Sequence, residues 1–265
     1  KPSFLVPVED ADELRGTFRF IHDLASPRGS LHIMGVATGE HAAALGADLA
    51  TAATHFLDEE VFANWTVIET RRYADGVLAG MGALRGAFLR PNIVFLRLPH
   101  DENRASQVRE VMERAPDHGL GLVLFADHPR AGIGRESSIN VWVRTPEWEH
   151  GHRVAEVDLE LLLAYRLQQN WKGRVRLLTA VATEEEKAPV MAELNRLVDL
   201  TRIPRSDVYA LVGELGDCVG RGPQADVNLF GLPAHIDFEW AQRMVQETRS
   251  TCIFVQGTGA ESAVA

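Results

Sequence analysis

Apolar runs rich in β-branched residues alternate with longer amphipathic stretches along nearly the whole chain. In the first half the pattern predicts strands over residues 4–8, 31–36, 65–69, 92–98 and 120–125. Between them it predicts helices over 10–24, 40–57, 73–89 and 101–114. The strands are continuously apolar, which suits parallel strands buried on both faces by the helices that separate them. That is an α/β fold. The stretch HPRAGIGRESS, from His128 to Ser138, breaks the rhythm with Pro, Gly and Ser. Beyond it the alternation resumes, with strands over 139–143, 175–181, 207–212, 225–231 and 251–256 and helices over 157–169, 184–200 and 238–248. Thr183, with Glu186 three residues on, fits a capping box at the start of one of these helices.

The halves repeat each other. PNIVFLRLP, ending at Pro99, matches ADVNLFGLP, ending at Pro233, an offset of 134. The strand end at Thr38 matches the one at Thr183, an offset of 145, and the opening strands at Phe4 and Ile139 lie 135 apart. The drop from 145 to 134 places a deletion in the second half. There the helix over 73–89 has only the short ELGDCVGRGPQ (214–224) as its counterpart. The expected architecture is two pseudo-symmetric α/β lobes, each a mostly parallel five-stranded sheet flanked by helices. They are placed at 1–130 and 139–265, with 131–138 as linker; a single ten-stranded sheet is the competing arrangement.

Composition narrows the function. The 265 residues carry 27 basic and 37 acidic side chains, a formal charge of −10. Without a basic cluster, this argues against a nucleic-acid partner, whose phosphates demand one. Cys218 and Cys252 are too few for a disulfide framework and lack metal-ligand spacing. No apolar run approaches the roughly 18–20 residues of a membrane span, so the domain itself is not expected to insert. No signal peptide is evident. The chain opens with Lys1, which leaves it open that it belongs to something longer.

The search for chemistry yields little. No strand–helix junction carries a GxGxxG or GxxxxGK[ST] loop. Gly132-Ile133-Gly134 and Gly257-Thr258-Gly259 could each form an anion nest, though linker and C-terminal turn are the plainer readings. His150 and His152, beside Glu149, lack a third metal ligand. His100-Asp101-Glu102 and Glu184-Glu185-Glu186 read as helix starts, where acidic residues suit the dipole. There is no GxSxG elbow. Cys252 falls within an apolar strand and Cys218 in a loop, where a reactive thiol is conceivable. Trp142, Trp148, Trp171 and Trp240 are not interleaved with basic residues, as a base-stacking platform would require. The expectation is therefore no catalytic, cofactor or metal residue, and no enzyme. The Leu98-Pro99 and Leu232-Pro233 strand ends support this, since they set rigid apolar residues where polar chemistry would sit.

Five segments together resemble the cytosolic C-terminal domain of the cation-chloride cotransporters. They are KPSFLVPVE at 1–9, LRPNIVFLRLP at 89–99, INVWVR at 139–144, LELLLAYRLQQNWKGRVRLLTAV at 159–181 and ADVNLFGLP at 225–233. Their order and spacing fit over nearly the whole chain, and the Trp171-to-Leu178 run (WKGRVRLL) is the most telling. The resemblance implies two universal-stress-protein-like lobes, a homodimer, and a transmembrane domain of the same polypeptide ahead of Lys1. That domain would couple chloride movement to potassium, sodium or both. The implied location is the cytoplasmic face of the cell membrane, as part of a multi-pass protein. The implied role is regulation and dimerisation in a minimal, prokaryotic-like version. Helices 40–57 and 157–169 are candidate dimer surfaces, and Arg166 departs from the uniformly apolar surface expected of the latter helix for packing of the lobes. Universal-stress-like folds can bind ATP, but the absent phosphate-cradling glycines predict no tight nucleotide site. A free-standing universal-stress-like protein binding a nucleotide or small ligand is the alternative, and a hydrolase or transferase the third reading.

Overall fold

The runs SFLVPV and IVFLR become the central strands of the first of two units, 1–123 and 124–265, in a computed structural model that describes residues 1–144, 157–233, 237–261 and 263. The first unit holds β1 (Ser3–Val8), α1 (Asp12–Arg15), α2 (Phe18–Ala25), β2 (Ser30–Ala37), α3 (Gly39–Asp58) and β3 (Phe62–Glu69). It continues with α4 (Tyr73–Leu84), β4 (Ile93–Arg97), α5 (Glu102–Arg114) and β5 (Gly121–Ala126), the unit boundary falling inside β5. The strand order is β3-β2-β1-β4-β5. β1 pairs in parallel with β2 and, through Phe4 with Ile93 and Leu5 with Val94, with β4. Phe4, Phe20, Phe56 and Phe95 are fully buried, and each stabilises the unit by about 2 kcal/mol on burial. A Cβ on Gly80 would collide with the Met34 side chain, so glycine lets α4 lie close on β2.

The second unit repeats the plan with β6 (Ser138–Trp142), α6 (Asp158–Trp171), β7 (Arg174–Val181), α7 (Glu184–Thr201) and β8 (Ser206–Val212). α8 (Leu215–Arg221), β9 (Val227–Gly231), α9 (Phe238–Thr248) and β10 (Thr251–Gln256) complete it. Its order is β10-β9-β6-β7-β8, with all four pairings parallel. Here Ile139 pairs with Val227 and Asn140 with Asn228, the same central register as in the first unit.

The departures from expectation have local causes. The predicted helix over 10–24 is two, because Thr17 leaves helical geometry (φ −121°, ψ −4°) and its hydroxyl donates back to Glu13 O at 3.0 Å. Phe18 then stacks on Phe56 of α3 with centroids 4.0 Å apart. β3 begins at Phe62, earlier than expected, since main-chain pairing with Ser30 extends an edge whose side chains are largely exposed. α4 stops at Leu84 instead of Leu89, because beyond it Phe88 and Leu89 find nothing to bury against. The deletion in the second half shortened a helix without removing it, leaving α8 with 7 residues against 12 in α4. Thr183 makes no side-chain cap bond, and Glu186 Oε2 accepts from Ala182 N at 3.0 Å, one residue before the capping-box position. Of the candidate dimer helices, α6 buries Leu159, Leu161, Leu163, Ala164 and Leu167. It packs on β6, β7, β9 and β10, with Arg166 half-buried. α3 keeps Ala43, Ala44, Ala47, Thr51 and Thr54 exposed.

Candidate functional site

An open parallel sheet offers a crevice beyond the carboxyl ends of its strands, where neighbouring strands lead off to opposite sides. In the first unit that point lies between β1 and β4, and in the second between β6 and β9.

In the first unit the crevice is filled by the chain's own charges. Glu9 directly follows β1, and Arg104 of α5 pairs with its carboxylate. The same guanidinium lies 3.7 Å from Glu13 Oε2 and 3.2 Å above the Tyr73 ring centroid, a favourable cation–π geometry. Glu13 Oε1 accepts from Glu9 N at 2.8 Å and from Asp10 N at 3.2 Å. Burial pushes the Tyr73 phenol well above its ordinary range against the opposing pull of Arg104, so it stays protonated. Asp101 caps α5, accepting from Arg104 N at 2.9 Å, and Glu102 sits in the first turn. His100 is exposed beside them.

In the second unit the described residues at the equivalent point surround a cavity of about 330 Å³. Trp142, Phe230 and Trp240 form much of its wall, joined by Gly213, Leu215 and the ends of β6, β7 and β9. Trp142 stacks on Phe230 with centroids 6.0 Å apart, and Trp240 meets Phe254 at 5.2 Å. Among the described residues lining it, only Arg144 and Glu214 are ionisable, and Arg144 Nη2 donates to Gly231 O at 2.9 Å. Among the described lining residues there is no hydroxyl, thiol or imidazole, so those residues contain no nucleophile–base pair of the kind acyl or phosphoryl transfer uses.

Beneath the aromatic wall lies a buried polar network that sequence reasoning missed. Asn228 Oδ1 accepts from Trp142 Nε1 at 2.9 Å and Asn140 Nδ2 at 3.1 Å, while Asn228 Nδ2 donates to Ser250 Oγ at 2.6 Å. Asn140 Nδ2 also reaches Pro223 O at 2.8 Å. The signal was present: an Asn in the middle of each apolar strand, INVWV and DVNLF.

Of the two suspected anion loops, Gly257–Gly259 meets a carboxylate of its own chain, while the amides of Gly132 and Gly134 bond to His128 O and Ala131 O. The Gly132–Gly134 loop leads into backbone that closes on Asp226. Its carboxylate accepts from Arg135 N (2.8 Å), Ser137 N (2.9 Å), Ser138 N (2.9 Å) and the Ser137 and Ser138 hydroxyls. A Cβ on Gly134 would strike that carboxylate, and the residue's φ of 68° is a left-handed geometry that suits glycine. Partial burial alone would raise the Asp226 pKa, but the hydrogen bonds from Arg135, Ser137 and Ser138 outweigh it and hold the carboxyl below its ordinary range. At the other end, Glu261 accepts from Thr258 N and Thr258 Oγ1, both at 2.9 Å.

The remaining candidates are ordinary. Glu184, Glu185 and Glu186 occupy the first turn of α7. Cys252 is buried in β10, where burial pushes its thiol up to about 12. Cys218 lies on α8 and not in a loop; it is fully buried, with Arg221 Nη2 at 3.3 Å. Trp171 ends α6. Trp148, Glu149, His150 and His152 lie outside the described residues. Among the described residues, no group of three His, Cys, Asp or Glu could hold a metal, and no helix is long and apolar enough to cross a membrane.

Two family models match the chain. The first is described as prokaryotic cation-chloride cotransporter, C-terminal domain, 1st, and covers residues 6–133; the second, the corresponding 2nd domain, covers 134–264. The chain is 34% identical to a crystal structure of the cytoplasmic domain of a prokaryotic cation chloride cotransporter, covering 99% of this chain and 98% of that one with a TM-score of 0.89. Fold alone is shared with a putative universal stress protein from Pseudomonas aeruginosa, at 16% identity, 95% and 92% coverage and a TM-score of 0.61. A universal stress protein from Archaeoglobus fulgidus gives 9% identity, 95% coverage of both chains and a TM-score of 0.60. No curated protein matches the chain.

Proposed function

We propose, from the premise that this chain belongs to the family of C-terminal domains of prokaryotic cation-chloride cotransporters, that it is a regulatory and dimerisation domain without catalysis of its own. It works from the cytoplasmic face of the membrane, joined to a transmembrane domain of the same polypeptide that moves chloride with potassium, sodium or both. The observation that carries the reading is the end-to-end likeness to a cytoplasmic domain of such a transporter. The filled crevice at Glu9 and Arg104 supports it, as does the lack of nucleophile–base pairs among the described residues of the second unit's crevice. We take the lobes as 1–130 and 139–265. The linker 131–138 is tied to the second lobe at its distal end by Asp226. No tight nucleotide site is expected, because the phosphate-cradling glycine pattern is absent, the Asp226 carboxylate lies against Gly134 and Glu261 holds the amide of Thr258.

Self-association is placed on the exposed face of α3, where small side chains allow close approach. Twofold assembly is the commonest closed symmetry. Sedimentation equilibrium is expected to give twice the chain mass of 29.3 kDa, and Ala47→Glu to return it to the monomer. An antibody against the domain should find a heavier band in the membrane fraction of the source cells. A soluble band at the chain mass, with saturable micromolar ATP binding, would replace this reading with a free-standing ligand-binding protein.

A further inference from the structure

In the first unit β1, β2, β3 and β4 run parallel, so the segments that precede them converge on one edge of the sheet. Residues 85–92 reach that edge ahead of β4, and at their tip Phe88 is 100% exposed and Leu89 42% exposed. Arg85 and Arg90 flank this pair and are themselves exposed. Arg90 Nη2 donates to His118 O at 2.9 Å, a neutral partner that leaves its charge uncompensated. Lys1, ahead of β1, and Arg28, ahead of β2, add two more exposed cations. The acidic residues of this edge, Asp58, Glu59 and Glu60, lie ahead of β3 at its far side, and Asp117 is paired with Arg114 at 3.2 Å. Leu57 and Phe62, beside that acidic turn, are also exposed apolar residues of the same edge.

We propose that the loop 85–90 is a peripheral membrane contact, with Phe88 and Leu89 seated at headgroup depth in an anionic bilayer and Arg85 and Arg90 against the lipid phosphates. The proposal rests on the reading above that a membrane-embedded part precedes Lys1, because Lys1 lies at this same edge: Asn92 Nδ2 donates to Lys1 O at 3.1 Å. A wholly exposed phenyl ring set between two cations complements a layered surface that is anionic outside and apolar beneath. A protein partner would be better served by a broad apolar face with partly buried anchors than by a single protruding ring. The chain's overall negative charge does not forbid the contact, since charges beyond about 8 Å are largely screened at physiological salt. The contact involves side chains alone.

The test is co-sedimentation of the 265-residue protein with phosphatidylglycerol–phosphatidylcholine vesicles, with pure phosphatidylcholine as the neutral comparison. Binding is expected on the anionic vesicles and weakens as salt rises. Phe88→Ser should lower the partition constant roughly five-fold or more, and Arg85→Gln about five-fold. Neither substitution should move the urea midpoint, because both side chains are exposed. Absence of anionic-vesicle binding, or binding untouched by Phe88→Ser, overturns the proposal. A full-length protein that cross-links from position 88 to its own membrane-embedded part, without lipid binding by the domain, also overturns it and makes the edge a protein contact. Failure here leaves the family reading intact, since that is tested by fractionation and by the assembled mass.

Discussion

At the same place in the two central strand pairs, the first unit sets Leu5 beside Val94 and the second sets Asn140 beside Asn228. One frame thus carries an apolar pair in one copy and a hydrogen-bonded pair in the other. Leu5 and Val94 are fully buried and stabilise by leaving water. The asparagines gain little net from each bond, about 1 kcal/mol, but are expensive to leave half-paired. A similar divergence appears at the strand ends. Asn92, ahead of β4, accepts from Ser3 N at 2.8 Å, whereas Asp226, ahead of β9, gathers five donors from residues 135–138. The duplicated fold fixes where a clamp is needed and leaves its chemistry free. An exposed Asn suffices where the chain enters at Ser3, while a carboxylate organises the longer glycine-containing approach to Ser138.

The comparison breaks hardest at Asp226. Asp226→Ala strips the acceptor from three main-chain amides and is expected to cost about 3 kcal/mol in urea unfolding, whereas Asn92→Ala costs about 1 kcal/mol. Equal costs would mean that the clamps do equivalent work. Asn228→Val, which copies the residue at position 94, orphans Trp142 Nε1 and should cost about 2 kcal/mol. A double-mutant cycle with Asn140→Leu should then show at least about 0.5 kcal/mol of coupling, because the two amides share a bond. Strict additivity would show that the network is not cooperative.

Acid should sharpen the contrast with the smallest effects. Burial lowers the pKa of His32 on β2, whose Nε2 has no hydrogen-bond partner. A folded value below the unfolded 6.5 means that its contribution is present above that pH and is lost as pH falls through the folded value. His32→Leu should flatten this shallow limb of the stability curve. Asp226 has the same sign at lower pH: stability present above its ordinary 3.8 fades as acid protonates the clamp. Asp158 opposes it, since burial raises its pKa and protonation relieves that cost despite the bond from Ala263 N. Asp158→Asn is accordingly expected to steepen the acid loss. A limb unchanged in His32→Leu would show that other groups govern the mildly acidic range.

Much of the frame was legible because its causes are local. Continuous apolar runs such as SFLVPV and TCIFVQ, short and separated by helical stretches, fit strands buried on both faces, and helix starts such as Asp101 announce themselves within four residues. The aromatic lining of the second crevice was visible as residues, though not as a wall, since Trp142, Phe230 and Trp240 come together only across three elements. The break at Thr17 was hidden because it depends on a hydroxyl turning back and on Phe18 finding Phe56. Cys218 looked like a loop residue because two glycines within seven positions masked α8.

The sequence by itself determined an α/β chain in two copies, the deletion in the second, and the family to which both belong. The fold and its duplication follow from periodicity and repetition along the chain, and the family from the resemblance of its quoted segments. Tertiary structure alone decided which carboxylates lie against Gly134 and Thr258 and which charges fill the first crevice. The carboxylate that lies against Gly134 comes from Asp226, 91 residues away from the amide of Arg135 that it binds. The arginine that closes the first crevice lies 95 residues from Glu9. Hydrogen bonds and ion pairs act over a few ångströms in space, so partners that distant in sequence become readable only once the sheet has brought their strand ends together.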